Sequence, residues 1–96
     1  MRVIFSDEAK LEFIEAEVYY KRVGSRLGNE FRHEIRDALR RVRTWPLSCP
    51  IEFGEIRRLT LHRFPYKLLY SVEKDYLYIV AVAHQHRMPN YWVDRV

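Results

Sequence analysis

Ninety-six residues with a hydrophobic share of 48%, including seven tyrosines, five phenylalanines and two tryptophans, supply enough apolar surface for one two-layer core. They exclude intrinsic disorder and a pair of independent cores, so a single domain over residues 1–96 is expected. The net charge of +4, from 17 Lys and Arg against 13 Asp and Glu, favours an anionic partner such as nucleic acid, a ribosome or an acidic protein.

No run approaches the roughly 18 apolar residues of a membrane span, and the chain opens on Arg2 and a strand-like stretch rather than a secretory leader. A cytoplasmic protein with no membrane partner is therefore expected. The lone Cys49 excludes an internal disulfide and a cysteine-rich zinc knuckle, agrees with a reducing compartment, and reads as a small buried or half-buried apolar residue.

Arg2 to Phe5 reads as a short strand that must pair elsewhere. Ser6 is placed to cap a helix whose first turn carries Asp7 and Glu8, and Gly24 is a natural stop. Ala9, Phe13, Ala16, Tyr20 and Val23 recur at helical spacing, while Leu11, Ile14 and Val18 form a second apolar stripe nearly opposite. Such a helix needs two packing partners, and the second stripe is a candidate partner-binding surface. A second helix follows, with Ser25 as its cap and a stripe of Leu27, Phe31, Ile35, Ala38, Val42 and Trp45 that ends before Pro46. Arg32, Arg36, Arg40 and Arg43 line one side of it, which reads as a solvated face with local ion pairs.

After the Pro46–Pro50 loop the sequence turns β-branched, aromatic and alternating. The order strand, helix, helix, then several strands predicts an α+β fold: an N-terminal strand and an antiparallel helical hairpin packed on one face of a small, mostly antiparallel sheet, with a short C-terminal tail or helix. If Phe64-Pro65 is a two-residue connection, Leu61 aligns with Leu68 and Leu59 with Tyr70; if Lys74-Asp75 is another, Tyr70 aligns with Ile79. One face then collects Leu59, Leu61, Leu68, Tyr70, Val72, Leu77, Ile79 and Ala81 to receive the helices. The other collects Arg58, Thr60, His62, Lys67, Ser71, Tyr78 and His84. Because Tyr76 to Ala83 is nearly all apolar, the second face also needs cover, either from Met88–Val96 with Tyr91 and Trp92 as anchors or from a partner protein.

Arg57-Arg58-Leu59, then Phe64-Pro65-Tyr66-Lys67-Leu68-Leu69-Tyr70, then Ala81-Val82-Ala83-His84 and a tail with Arg87, Pro89, Tyr91, Trp92 and Arg95 resemble the RelE/ParE superfamily toxins of the plasmid-stabilisation group. The likeness runs from Val3 to Arg95. It implies the toxic component of a type II toxin–antitoxin system, a growth inhibitor silenced by a cognate antitoxin that wraps it. It also implies a divided set of targets: RelE-like members cut messenger RNA on the ribosome without a metal, and ParE-like members poison DNA gyrase.

For RNA cleavage the resemblance places Arg58 and Lys67 as phosphate-stabilising cations, His84 or His86 as acid or base, and Tyr91 as proton donor or base-stacking ring. Arg63, Arg87 and Trp92 are candidate phosphate- or target-binding residues. Thr60 and Gln85 stand where further basic residues are expected. No metal site and no cofactor are expected: His84 and His86 have chelating spacing but no third ligand. A gyrase poison needs only anchors, for which Tyr91, Trp92, Arg87 and the Leu11, Ile14, Val18 stripe would serve. A third reading is a non-catalytic antitoxin-binding protein acting in operon autoregulation. A homodimer and a toxin–antitoxin heterocomplex are both compatible with these surfaces.

Overall fold

The computed structural model describes residues 1–96. In chain order the elements are strand β1 (Arg2–Phe5), helices α1 (Asp7–Val23) and α2 (Ser25–Thr44), strands β2 (Ile51–Phe53), β3 (Ile56–Thr60), β4 (Tyr66–Val72) and β5 (Tyr76–His84), and a single 3-10 turn at Val93–Arg95. The five strands form one sheet in the order β1-β5-β4-β3-β2. Only β1 runs parallel to its neighbour, and the α1–α2 pair is the crossover that reverses the chain between the two sheet edges. Neither helix is long and apolar enough to cross a membrane.

Ser6 caps α1 as its side chain allows: the hydroxyl accepts the Ala9 N–H at 3.0 Å and donates to the Val80 carbonyl at 3.2 Å, tying the helix start to the sheet. Ala9 and Ala16 are buried, and Phe13 and Tyr20 pack on the same core, whereas Val23 is exposed at the helix end. One residue, Gly24, links the helices in an extended conformation. Ser25 is therefore the first residue of α2 rather than its cap, and no side chain caps that helix. Gly28 permits the close crossing that follows, because a Cβ there would lie 2.3 Å from Lys21 Cγ and 3.1 Å from the Lys21 backbone.

The α2 stripe buries Phe31, Ile35, Ala38 and Val42. It stops one residue early: Trp45 leaves helical geometry, so its ring swings off the core line and is exposed. The Pro46 carbonyl freed at this end instead accepts the hydroxyl of the fully buried Tyr70 at 2.7 Å. The half-buried Cys49 and the exposed Leu47 offer their carbonyls to the Arg57 guanidinium, which fixes the loop onto β3.

The β4–β5 ladder starts in the expected register, with Tyr70 opposite Ile79. The β3–β4 ladder is shifted by two residues from expectation: Leu59 faces Leu68, and Thr60 faces Lys67. The connection is wider than two residues because Phe64 does not sit at a turn apex; its ring is buried against Tyr20 and Phe31. The Glu34 carboxylate stabilises this loop by accepting the His62 and Arg63 N–H groups. A two-residue slip preserves side-chain direction, so Leu59, Leu61, Leu68, Tyr70, Leu77 and Ile79 all enter the core beneath the helices, with Val72 packed on it.

A β-bulge at Val80 then breaks the alternation. Tyr70 pairs with Ile79 but Leu69 pairs with Ala81, leaving one extra residue on β5. Beyond it the sides exchange. Val82 joins the helix-side core, and Ala81, expected there, lies instead with Leu69, Val80, Ala83 and Trp92 in a second cluster on the other face.

Candidate functional site

The face of the sheet away from the helices is the candidate functional surface, and its chemistry differs from expectation in four respects. First, the bulge carries His84 to the helix side. Its ring stands 4.9 Å from that of Tyr66, its cross-strand partner, while Lys67 pairs with Ala83 and points to the opposite face. His84 Nδ1 accepts the His86 N–H at 3.0 Å, and the two imidazoles are 4.9 Å apart. Burial, helped by the neighbouring His86, holds the His84 imidazole below its usual value. No group of three or more His, Cys, Asp or Glu gathers as a metal site would need.

Second, Arg58 and Lys67 do share the open face, but neither is free. Glu52, on the three-residue β2, spans both, with Arg58 Nη1 at 3.3 Å from Oε1 and Lys67 Nζ at 2.6 Å from Oε2. Arg58 also donates to the Ile51 carbonyl. A carboxylate held between two cations takes up one of the two charges that a phosphate would otherwise meet.

Third, Trp92 is not a surface anchor. It is 1% exposed and packs against Ile56, Leu69, Val80, Ala81 and Ala83, with Phe53 edge-on at 6.1 Å. The tail thus covers the apolar middle of the second face, which was one of the two expected sources of cover. Asn90, at φ 62, takes the left-handed turn that aims the following residues back at the sheet.

Fourth, Tyr91 is engaged by Glu12 of α1. The Tyr91 hydroxyl donates to Glu12 Oε2 at 2.6 Å, Arg95 grips both carboxylate oxygens at 3.0 Å, and the Val82 N–H donates to Oε1 at 3.0 Å. This network closes the edge of β5 past the end of β1, where Arg95 also donates to the Val80 carbonyl. Burial first, then the bond to Glu12, pushes the Tyr91 hydroxyl well above the usual phenol range. The same bond raises the Arg95 guanidinium. A phenol so held is a poor proton donor. Arg87 lies 3.9 Å over the Tyr91 ring and 3.9 Å from Glu12, its guanidinium half-exposed.

The remaining expected residues are dispersed. Arg63 is at the β3–β4 loop, paired with Glu30 of α2, away from the open face. Leu11, Ile14 and Val18 lie on the outer side of α1 and are 56%, 45% and 40% exposed, so the second stripe has no partner within the chain.

Sequence reasoning missed Glu12 and Glu52. Glu12 binds Arg95 and Glu52 binds Lys67 across long stretches of sequence, and the available hint was only that a strand region rich in Arg and Lys requires carboxylates from elsewhere.

A solved structure described as the chromosomal ParDE TA system from P. aeruginosa matches with a TM-score of 0.63 at 17% identity, covering 88% of this chain and 95% of that one. That likeness defines the fold. A comparison with curated proteins finds no significant match. Residues 3–89 match the family described as "ParE toxin of type II toxin-antitoxin system, parDE". The chain therefore belongs to the ParE toxin family.

Proposed function

We propose that this toxin inhibits growth by binding a protein target, DNA gyrase in the ParE-like manner, rather than by cutting messenger RNA, and that a cognate antitoxin neutralises it in a heterocomplex. The observation that carries this reading is the arrangement around Glu52. Its carboxylate pairs with both Arg58 and Lys67 and offsets one of their two charges, while the His84 imidazole is turned to the other side of the sheet. Transesterification of RNA requires an acid or base beside the cations that stabilise the pentacoordinate phosphate. The His86 ring stands with that of His84, and Tyr91 has its hydroxyl proton hydrogen-bonded to Glu12. What the molecule does offer is a firm surface with a half-exposed Arg87 stacked on Tyr91, suited to protein contact.

The test uses the purified protein in two assays. Supercoiling by gyrase should be inhibited, with relief on adding the product of the neighbouring antitoxin gene, while ribosome-bound message stays intact. Codon-periodic cleavage of message that disappears in Lys67→Ala would overturn the reading in favour of a nuclease.

A further inference from the structure

On the outer side of α1, away from α2 and the sheet, residues at spacings of three and four form one line along the helix: Asp7, Leu11, Ile14, Val18, then Lys21 and Arg22. All six are exposed. The middle of the line is apolar, its first turn is acidic with Glu8 beside Asp7, and its last turn is basic. Glu15 is exposed next to Ile14 at the midpoint.

None of these charges is used within the chain. The ion pairs formed elsewhere engage Glu12, Glu17, Glu30, Asp37 and Glu52, and leave Asp7, Glu8, Glu15, Lys21 and Arg22 without a partner. Glu17, one turn before Lys21, is held by Arg32 instead. Glu8 and Arg22 stand about 21 Å apart along the helix axis, so the acidic and basic ends cannot meet in one copy. The helix dipole favours acids early and bases late, but it gives no reason for an exposed apolar line between them.

We propose that α1 pairs antiparallel with α1 of a second copy of this chain, about a two-fold axis passing beside Ile14 and Glu15. The line is complementary to its own reverse. In that arrangement Leu11 comes opposite the partner's Val18, and Asp7 and Glu8 come opposite the partner's Arg22 and the partner's Lys21. Each acid thus meets a base twice, once on either side of the axis, while the apolar middle is covered. A parallel pairing would set acid against acid and base against base. An anionic membrane or a nucleic acid would attract the basic end and repel the acidic one. Glu15 meets its own symmetry mate near the axis, which is the one unfavourable contact. A single pair of helices of this length falls short of the roughly 1,600 Å² of a standard interface, so the dimer is weak, with a dissociation constant on the order of 10–100 μM. The surface takes no residue from the open sheet face and is separate from the Glu12 network, and it does not depend on the choice of gyrase as target.

Sedimentation equilibrium of the full-length protein at low salt provides the test. A monomer–dimer equilibrium is expected, and Ile14→Asp should weaken it about tenfold or more. Glu8→Lys and Arg22→Glu should each weaken it alone, whereas the two substitutions in one chain should restore it, because an antiparallel pair brings the exchanged charges together again. Glu15→Gln should tighten the dimer. Every substituted residue is exposed, and an unchanged urea midpoint verifies that each variant keeps its fold. A monomer up to about 1 mM, a dimer indifferent to Ile14→Asp, or a double variant no better than either single one would overturn the proposal. So would a protein that stays monomeric while the Leu11, Ile14 and Val18 amides shift on adding anionic phospholipid vesicles or purified gyrase, which would give the line to a membrane or to the target.

Discussion

The two sides of the sheet are closed by different means. The helix side is sealed by a hairpin of two long helices, with Phe31, Val42, Leu68, Leu77 and Ile79 almost completely buried in one contiguous core. The opposite side is sealed by a short tail, through one indole and one carboxylate: Trp92 fills the apolar centre and Glu12 holds Tyr91 and Arg95 at its margin. The first closure is distributed and the second concentrated, so single substitutions should reveal the difference.

The largest effect is expected from Trp92→Ala. Losing a buried indole costs about 3–5 kcal/mol, comparable to Phe31→Ala on the helix side, and urea unfolding would measure both. A cost under about 1 kcal/mol for Trp92→Ala would show the tail to be a loose cover and break the comparison.

Next comes Glu12→Ala, at about 2–3 kcal/mol, because it strands the Arg95 guanidinium and leaves the Val82 N–H without its acceptor. Hydrogen exchange at the Val82 amide should accelerate in this variant while amides of β4 stay protected. Uniform acceleration would mean that the tail and the core open as one unit.

Glu52→Ala should be milder, within about 1 kcal/mol, since Arg58 is partly solvated and can find water or the Ile51 carbonyl. It sharpens the comparison in another way. If message cleavage appears in this variant, Glu52 is masking a latent phosphate site rather than completing a surface.

The smallest effect concerns pH. His84 has its folded-state value lowered from 6.5 by burial and by His86. A depressed imidazole favours the neutral folded form, so its contribution is fully present above pH 6.5 and is lost as the pH falls through the folded value. Stability measured across that window should decline, and His84→Gln should flatten the decline. A decline untouched by His84→Gln would assign it to other groups.

The resemblance in the notable short motifs, the helical stripes and the alternation of β3 and β4 made the fold legible in advance. Period 3.6 and period 2 are local properties, and a two-residue error in the β3–β4 register left the side chains within β3 and β4 on their expected faces, though His62 falls in the loop beside α2. The candidate site was less legible. Arg58 and Lys67 were correctly placed together, but Ala81 and His84 were assigned to the wrong sides because alternation was carried straight through β5. The extra residue at Val80 has no sequence mark such as glycine.

The chain's order of residues thus determined which helix stripes and which strand residues are apolar, and with them the layer arrangement. Tertiary structure alone decided which cations are free. Glu12 meets Tyr91 and Arg95, and Glu52 meets Lys67, across sequence separations that no local pattern encodes. Whether a charged group can act depends on the partner that desolvation and geometry place beside it, and those partners come together only when the sheet, the bulge and the tail have closed.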